Sequence, residues 1–124
     1  DQAITNLTQA IELNPADGTA LESLGNAYTL KADYADAVTF YDKSLNLKPD
    51  PVVRTNLAYA LLKLKRYREA VANYNSALKD DNATKDKALY GRGLAEQALG
   101  DIQDAARDMD AARRLDPNIA KEFE

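Results

Sequence analysis

The chain of 124 residues predicts an all-α solenoid built from antiparallel helix pairs. Three observations carry that expectation. The first is a pattern that recurs four times: Ala3, Ala37, Ala70 and Ala105 stand 34, 33 and 35 positions apart. Leu7, Tyr41, Tyr74 and Met109 keep those steps, as do Ala10, Ser44, Ala77 and Ala112. The second is that small and large apolar residues alternate at fixed places within a period near 34, which marks helix pairs that bury their faces only by stacking. The third is punctuation, with Pro15, Pro49 and Pro117 on the same grid and Asn82 in the remaining slot.

Each period divides into a first helix, A, and a second, B. A lone B helix is expected near 2–13, where Ala3, Leu7 and Ala10 form its apolar face and Asn14-Pro15 ends it. The next pair spans 18–31 and 34–47, with Asp33 as N-cap of the second helix and Lys48-Pro49 as its stop. Proline excludes the helical conformation of the residue before it, so each such dipeptide closes a B helix. At 51–64, Asp50 supplies a side-chain acceptor at the N-cap and Pro51 a ring with no N–H at the first helical position. Its partner spans 67–79. The last pair spans 86–99 and 101–115, with Thr84 and Asp101 as N-caps, Gly100 as a left-handed stop and Asp116-Pro117 at the end. A further turn or two of helix begins near Ile119.

Small residues set the packing. Gly25, Ala58 and Gly93 lie on A helices opposite Ala37, Ala70 and Ala105 on the returning B helices. Without bulk at either site the backbones approach to roughly 8–10 Å. Leu24, Tyr28, Leu57, Leu61, Tyr34, Tyr67 and Ile102 are expected to fill the space around these joints.

Composition narrows the function. Apolar residues make up 45% and charged residues 29%, a balance able to support one continuous core. The net charge of −4 argues against nucleic acid as the main partner, since phosphate binding needs a concentrated basic surface. The two basic runs, 63–66 and Arg113-Arg114, fall at helix C-termini, where cations complement the helix dipole. There is no Cys and no His, which removes any disulfide framework, the commonest general base and the commonest zinc ligand. No apolar run approaches the ~18 residues of a membrane span. The first residues fall in mid-repeat, so the chain reads as a piece of a longer protein.

The pattern resembles the tetratricopeptide repeat, in which helix A carries a large residue, Leu-Gly and Tyr, and helix B carries Ala, an aromatic, Ala and Pro. Leu21, Leu24-Gly25, Tyr28, Tyr34, Ala37, Tyr41, Ser44 and Pro49 match that motif almost throughout. The second copy reads Leu57-Ala58, Leu61, Tyr67, Ala70, Tyr74 and Ala77; the third reads Leu89, Gly93, Gly100, Ile102, Ala105, Met109, Ala112 and Pro117. The resemblance implies a right-handed α-solenoid of about seven helices with a short C-terminal helical turn. It divides the chain into a half repeat at 1–17, repeats at 18–50, 51–85 and 86–119, and the start of a capping helix at 119–124. The third copy departs at Arg92 and Glu96, read as a solvated i,i+4 ion pair whose stems cover the core.

In the resembled family the A helices line a concave groove. One stripe per A helix, spaced i, i+3, i+7, i+10, then faces a partner. The stripes are Thr19, Glu22, Asn26 and Thr29; Val52, Thr55, Tyr59 and Leu62; and Lys87, Tyr90, Leu94 and Gln97. Tyr59, Leu62, Tyr90 and Leu94 would form an apolar centre, while Asn26, Asn56 and Gln97 offer amides to a peptide backbone. The candidate binding residues are therefore Asn26, Thr55, Asn56, Tyr59, Leu62, Lys87, Tyr90, Leu94 and Gln97. Some members of the family clamp acidic chaperone tails with two Lys, two Asn and an Arg. Asn26, Asn56 and Lys87 match those positions, but Glu22 replaces the first Lys and Gly91 the Arg. A carboxylate facing a carboxylate ligand is repulsive, and the clamp is rejected.

The expected function is a non-enzymatic scaffold or adaptor that binds a protein or peptide segment, with no cofactor, metal, nucleic acid or membrane insertion. Asp101, Asp104 and Asp108, and also Asp80, Asp81 and Asp86, lack the converging spacing of a calcium site and read as solvated surface. Gly91-Arg92-Gly93 falls inside a helix with no strand before it, so it is no phosphate loop. The alternative is self-assembly. The first B helix has no A helix before it, and its Leu7 face would be covered by a preceding segment or by a second copy in a homodimer.

Overall fold

The computed structural model describes residues 1–124. Seven α-helices follow in order: α1 (Gln2–Leu13), α2 (Gly18–Leu30), α3 (Tyr34–Leu47), α4 (Pro51–Lys63), α5 (Tyr67–Leu78), α6 (Lys85–Ala98) and α7 (Ile102–Leu115). A 3-10 turn, η1 (Ile119–Phe123), ends the chain. These are the helices and the terminal turn that the repeat pattern predicts.

The small residues do what their spacing implies. Ala37, Ala58 and Ala70 are fully buried and Ala105 nearly so. A methyl group on Gly25 would meet the Tyr41 ring, and one on Gly93 would stand 2.6 Å from Met109 Cγ and 3.1 Å from the Ala105 carbonyl. Close approach is therefore built into α2–α3, α4–α5 and α6–α7, the three most extensively packed pairs. A helices also meet one another, α2 with α4 and α4 with α6, while α3 does not reach α5 and α5 does not reach α7. Helices that crowd on one side and spread on the other make an arc. The A helices form its inner face.

The same corner turns each A helix into its B helix. Ala32, Lys65 and Gly100 have φ of 59°, 63° and 91°, and each follows Gly25, Ala58 or Gly93 by seven positions. The next amide closes a six-residue ring onto the helix: Asp33 N donates to Tyr28 O, Arg66 N to Leu61 O and Asp101 N to Glu96 O, all at 2.9 Å. This is a Schellman stop, which satisfies the last carbonyls. Of the three, only Gly100 is legible as a stop in the sequence, because Ala and Lys rarely adopt left-handed backbone.

The remaining expectations divide. Asp50 and Asp33 cap as predicted, accepting from Val52 N at 2.9 Å and Asp36 N at 3.4 Å. Thr84 and Asp101 make no side-chain cap bond. The Thr84 hydroxyl is buried and donates to Thr55 Oγ1 at 3.0 Å, which ties two A helices together. Ile102 is 59% exposed and fills no joint. Arg92 and Glu96 are not a solvated pair. Arg92 Nε and Nη2 each donate to an Asp108 oxygen at 2.7 Å, and Nη1 donates to Asn75 Oδ1 at 2.9 Å. Glu96 stands 4.0 Å from Arg92, and Asp108, read as surface, is buried. The guanidinium draws Asp108 inward because a bidentate pair offsets part of the desolvation of both charges.

That cluster perturbs both acids. Burial, followed by the neighbouring Asp108, pushes the Glu96 carboxyl up to about 8. Burial opposes ionisation of Asp108 too, but the Arg92 guanidinium outweighs it and holds that carboxyl below its ordinary range. One Glu96 oxygen is buried without a hydrogen-bond partner.

Candidate binding groove

The inner face holds a cavity of about 410 Å³ between α2, α4, α6 and η1. Its floor comes from B helices. Tyr41 of α3 and Tyr74 of α5 reach through the A layer and are almost wholly buried. The two rings hold the same place in successive repeats but end differently. Tyr41 lies against Gly25, donates to Asn26 Oδ1 at 2.6 Å and pairs with Thr29 Oγ1 at 3.2 Å. Tyr74 extends to the next repeat and lies against Gly91, and its hydroxyl has no partner. The positions equivalent to Asn26 and Thr29 are Tyr59 and Leu62 in its repeat, so no acceptor is supplied locally. Burial pushes both phenols above their ordinary range.

The rim is polar on one side and aromatic on the other. Asn26 and Asn56 stand together, Asn56 Nδ2 donating to Asn26 Oδ1 at a long 3.5 Å, and Lys87 completes that wall. Opposite them, Phe123 of η1 sits between two tyrosines. Its ring centroid is 5.6 Å from that of Tyr59, edge-on, and 5.2 Å from that of Tyr90, tilted. Lys63 Nζ donates to the Phe123 carbonyl at 3.4 Å and lies 5.4 Å above the Tyr59 ring. Such rings combine large apolar area with directional edge contacts.

Of the nine candidates, Asn26, Thr55, Asn56, Tyr59 and Lys87 line this cavity. The others do not. Tyr90 is buried beneath η1, packed with Ala112 and Ile119, and Leu94 joins that cluster from its edge. Leu62 packs against the main core, and Gln97 is exposed away from the cavity. Thr55, although on the wall, is buried and donates its hydroxyl to Pro51 O at 2.9 Å. The expected apolar centre is thus covered in part by the chain's own terminal turn. Thr19 and Glu22 line a separate pocket with Asp50, where burial and then Asp50 raise the Glu22 carboxyl. Sequence reasoning missed Phe123 and Lys63 as groove residues. Stripe logic assigns faces within a helix, but it does not place a segment that folds back.

No group of three or more carboxylates converges to hold a metal, and no helix is long and apolar enough to cross a membrane. The cavity offers rings, amides, the Lys87 ammonium, the Glu122 carboxylate and an unmet hydroxyl donor, which are the parts of a recognition surface.

Comparison with known proteins agrees with the fold. Residues 21–122 match the description of the fourth ARM domain of tetratricopeptide repeat protein 21. Cellulose synthase operon protein C of Escherichia coli (strain K12) is 40% identical over 90 residues, covering 72% of this chain and 8% of that protein. The chain therefore spans less than a tenth of that relative. Among solved structures, a MamA RS-1 double mutant superposes with a TM-score of 0.86 at 27% identity, over 94% of this chain and 66% of that one. The first TPR of Spaghetti (RPAP3), bound to HSP90 peptide SRMEEVD, gives 0.75 at 31% identity, over 86% of each chain.

Proposed function

This chain belongs to the tetratricopeptide repeat family, and from that premise we propose that it is a non-enzymatic scaffold or adaptor module that binds a peptide segment in the groove of its A helices. The observation that supports the reading most is the cavity on the inner face, where Tyr59 meets the amides of Asn26 and Asn56 and the ammonium of Lys87. An aromatic wall gives affinity, while paired amides engage any peptide backbone. A similar domain, the first TPR of Spaghetti (RPAP3), is bound to an HSP90 peptide. This chain is not built to clamp such a tail through the same positions. Gly91 is pressed against the Tyr74 ring, so no arginine fits there, and Glu22 brings a carboxylate near Asp50.

Selection of peptides from a displayed library on the intact chain, followed by titration, tests the reading. Tyr59→Ala and Lys87→Glu should each weaken a selected peptide by tenfold or more. Unchanged affinity in folded variants would exclude this groove.

A second reading, self-association through the first half repeat, has its own support. Helix α1 buries none of its residues and packs on α2 alone, and Leu13 at its end is almost fully exposed. Light scattering over a concentration series decides it. A dimer dissociated by Leu7→Glu supports this reading, and a monomer throughout removes it.

A further inference from the structure

We propose that the slot between Tyr59 and Tyr90 is an aromatic-anchor site, that Phe123 occupies it as a built-in competitor, and that the partner is a peptide carrying an aromatic side chain flanked by acidic residues. The proposal rests on the groove reading above and adds the chemistry of the ligand.

Three observations support it. The chain's own terminal segment shows what the slot accepts: Glu122-Phe123-Glu124 places one ring between two tyrosines and its carbonyl on the Lys63 ammonium. The segment is also lightly held beyond its root. Ile119 is fully buried and fixes the start of η1, but Lys121 and Glu122 are exposed, and the only side-chain hydrogen bond to the tip is the long one from Lys63. A donor–acceptor distance of 3.4 Å lies beyond the usual range for an N–H···O bond.

The third observation favours an external ligand over the internal one. Phe123 fills the ring slot but leaves the buried Tyr74 hydroxyl without an acceptor, although both line the same cavity. A buried donor left unpaired carries the full penalty of its desolvation. A partner that inserts the same ring and also brings a carbonyl or carboxylate to Tyr74 removes that penalty. Lys63 and Lys87 at the margin favour acidic flanks.

Tethering sets the scale. Phe123 lies four residues beyond its anchor at Ile119, so it competes at an effective concentration in the millimolar range. A free peptide displaces it only when its own dissociation constant lies well below that. Opening the slot by mutation should therefore strengthen binding of weak aromatic peptides.

The test uses the full chain and a synthetic peptide with the sequence of residues 120–124, blocked at both ends, alongside the same peptide with alanine in place of phenylalanine. Titration is followed by calorimetry and by the ring resonances of Tyr59. Phe123→Ala should bind the aromatic peptide at least tenfold more tightly than the parent and ignore the alanine peptide. Phe123→Leu serves as the second variant if alanine loosens the last repeat, since it keeps apolar packing but presents no ring edge. Equal affinity for parent and Phe123→Ala, still sensitive to Tyr59→Ala, overturns the competitor while leaving the groove in place. Binding insensitive to Tyr59→Ala, or no binding to folded Phe123→Ala at millimolar peptide, overturns the anchor site itself.

Discussion

Removing one oxygen from each of two equivalent tyrosines should move stability in opposite directions. Tyr41 and Tyr74 occupy the same repeat position and are equally buried, but only Tyr41 has partners for its hydroxyl. Tyr41→Phe loses the bond to Asn26 and the contact with Thr29. A buried hydrogen bond contributes about 0.5–1.5 kcal/mol net, and Asn26 is exposed enough to regain water, so the expected loss is about 1–2 kcal/mol. Tyr74→Phe loses no bond. It removes a donor whose unpaired burial costs about 1–3 kcal/mol, less the small dispersion energy of one atom, so a gain of about 1 kcal/mol is expected. For a domain of this size each kcal/mol shifts the melting temperature by roughly 3–5 °C. Thermal and urea unfolding followed by far-UV circular dichroism separates the pair without ambiguity of sign. A loss above about 1 kcal/mol for Tyr74→Phe, or parallel shifts for the two variants, would refute the assignment of partners.

Gly91→Ala places a methyl group inside the contact distance of the Tyr74 ring. The helix gains about 1 kcal/mol in propensity but overpacking takes about 1–3, so urea midpoints should fall, and Tyr74→Leu in the same chain should restore them. The Glu96 cluster makes stability depend on pH. A carboxyl raised to about 8 in the folded chain, from an ordinary 4.5, binds more protons folded than unfolded, so stability declines as pH rises through that window. Asp108 acts oppositely, its contribution present above its ordinary range and lost on acidification. Stability should therefore fall between pH 5 and 8, by at most on the order of 1 kcal/mol per pH unit, seen as a falling melting temperature, and Glu96→Gln should flatten the profile. Ala70→Leu should overpack the α4–α5 joint by about 1–3 kcal/mol, read as a lower urea midpoint at unchanged slope.

The layering was legible because it rests on residues that leave no choice. Ala37 recurs as Ala70 and Gly25 as Ala58 at a period near 34, and each proves buried at a helix crossing. The groove was half legible. Asn26, Asn56, Tyr59 and Lys87 follow from helical spacing once the inner face is known. Tyr90 does not, because its cover is a turn more than two helix lengths further along the chain. Asp108 was misread for a related reason. A carboxylate on an otherwise charged helix face reads as solvated, and only the guanidinium of Arg92, sixteen positions earlier on the preceding helix, shows why it is withdrawn from water.

The bond from Lys63 to Phe123 joins residues sixty positions apart, the longest reach of any side-chain hydrogen bond in the molecule. In a stack that otherwise touches near neighbours, curvature is a soft coordinate, the sum of small rotations between adjacent rods. At 3.4 Å that bond is too long to fix the bend, so the return of the tip to the middle of the arc rests on the packing of the Phe123 ring between Tyr59 and Tyr90.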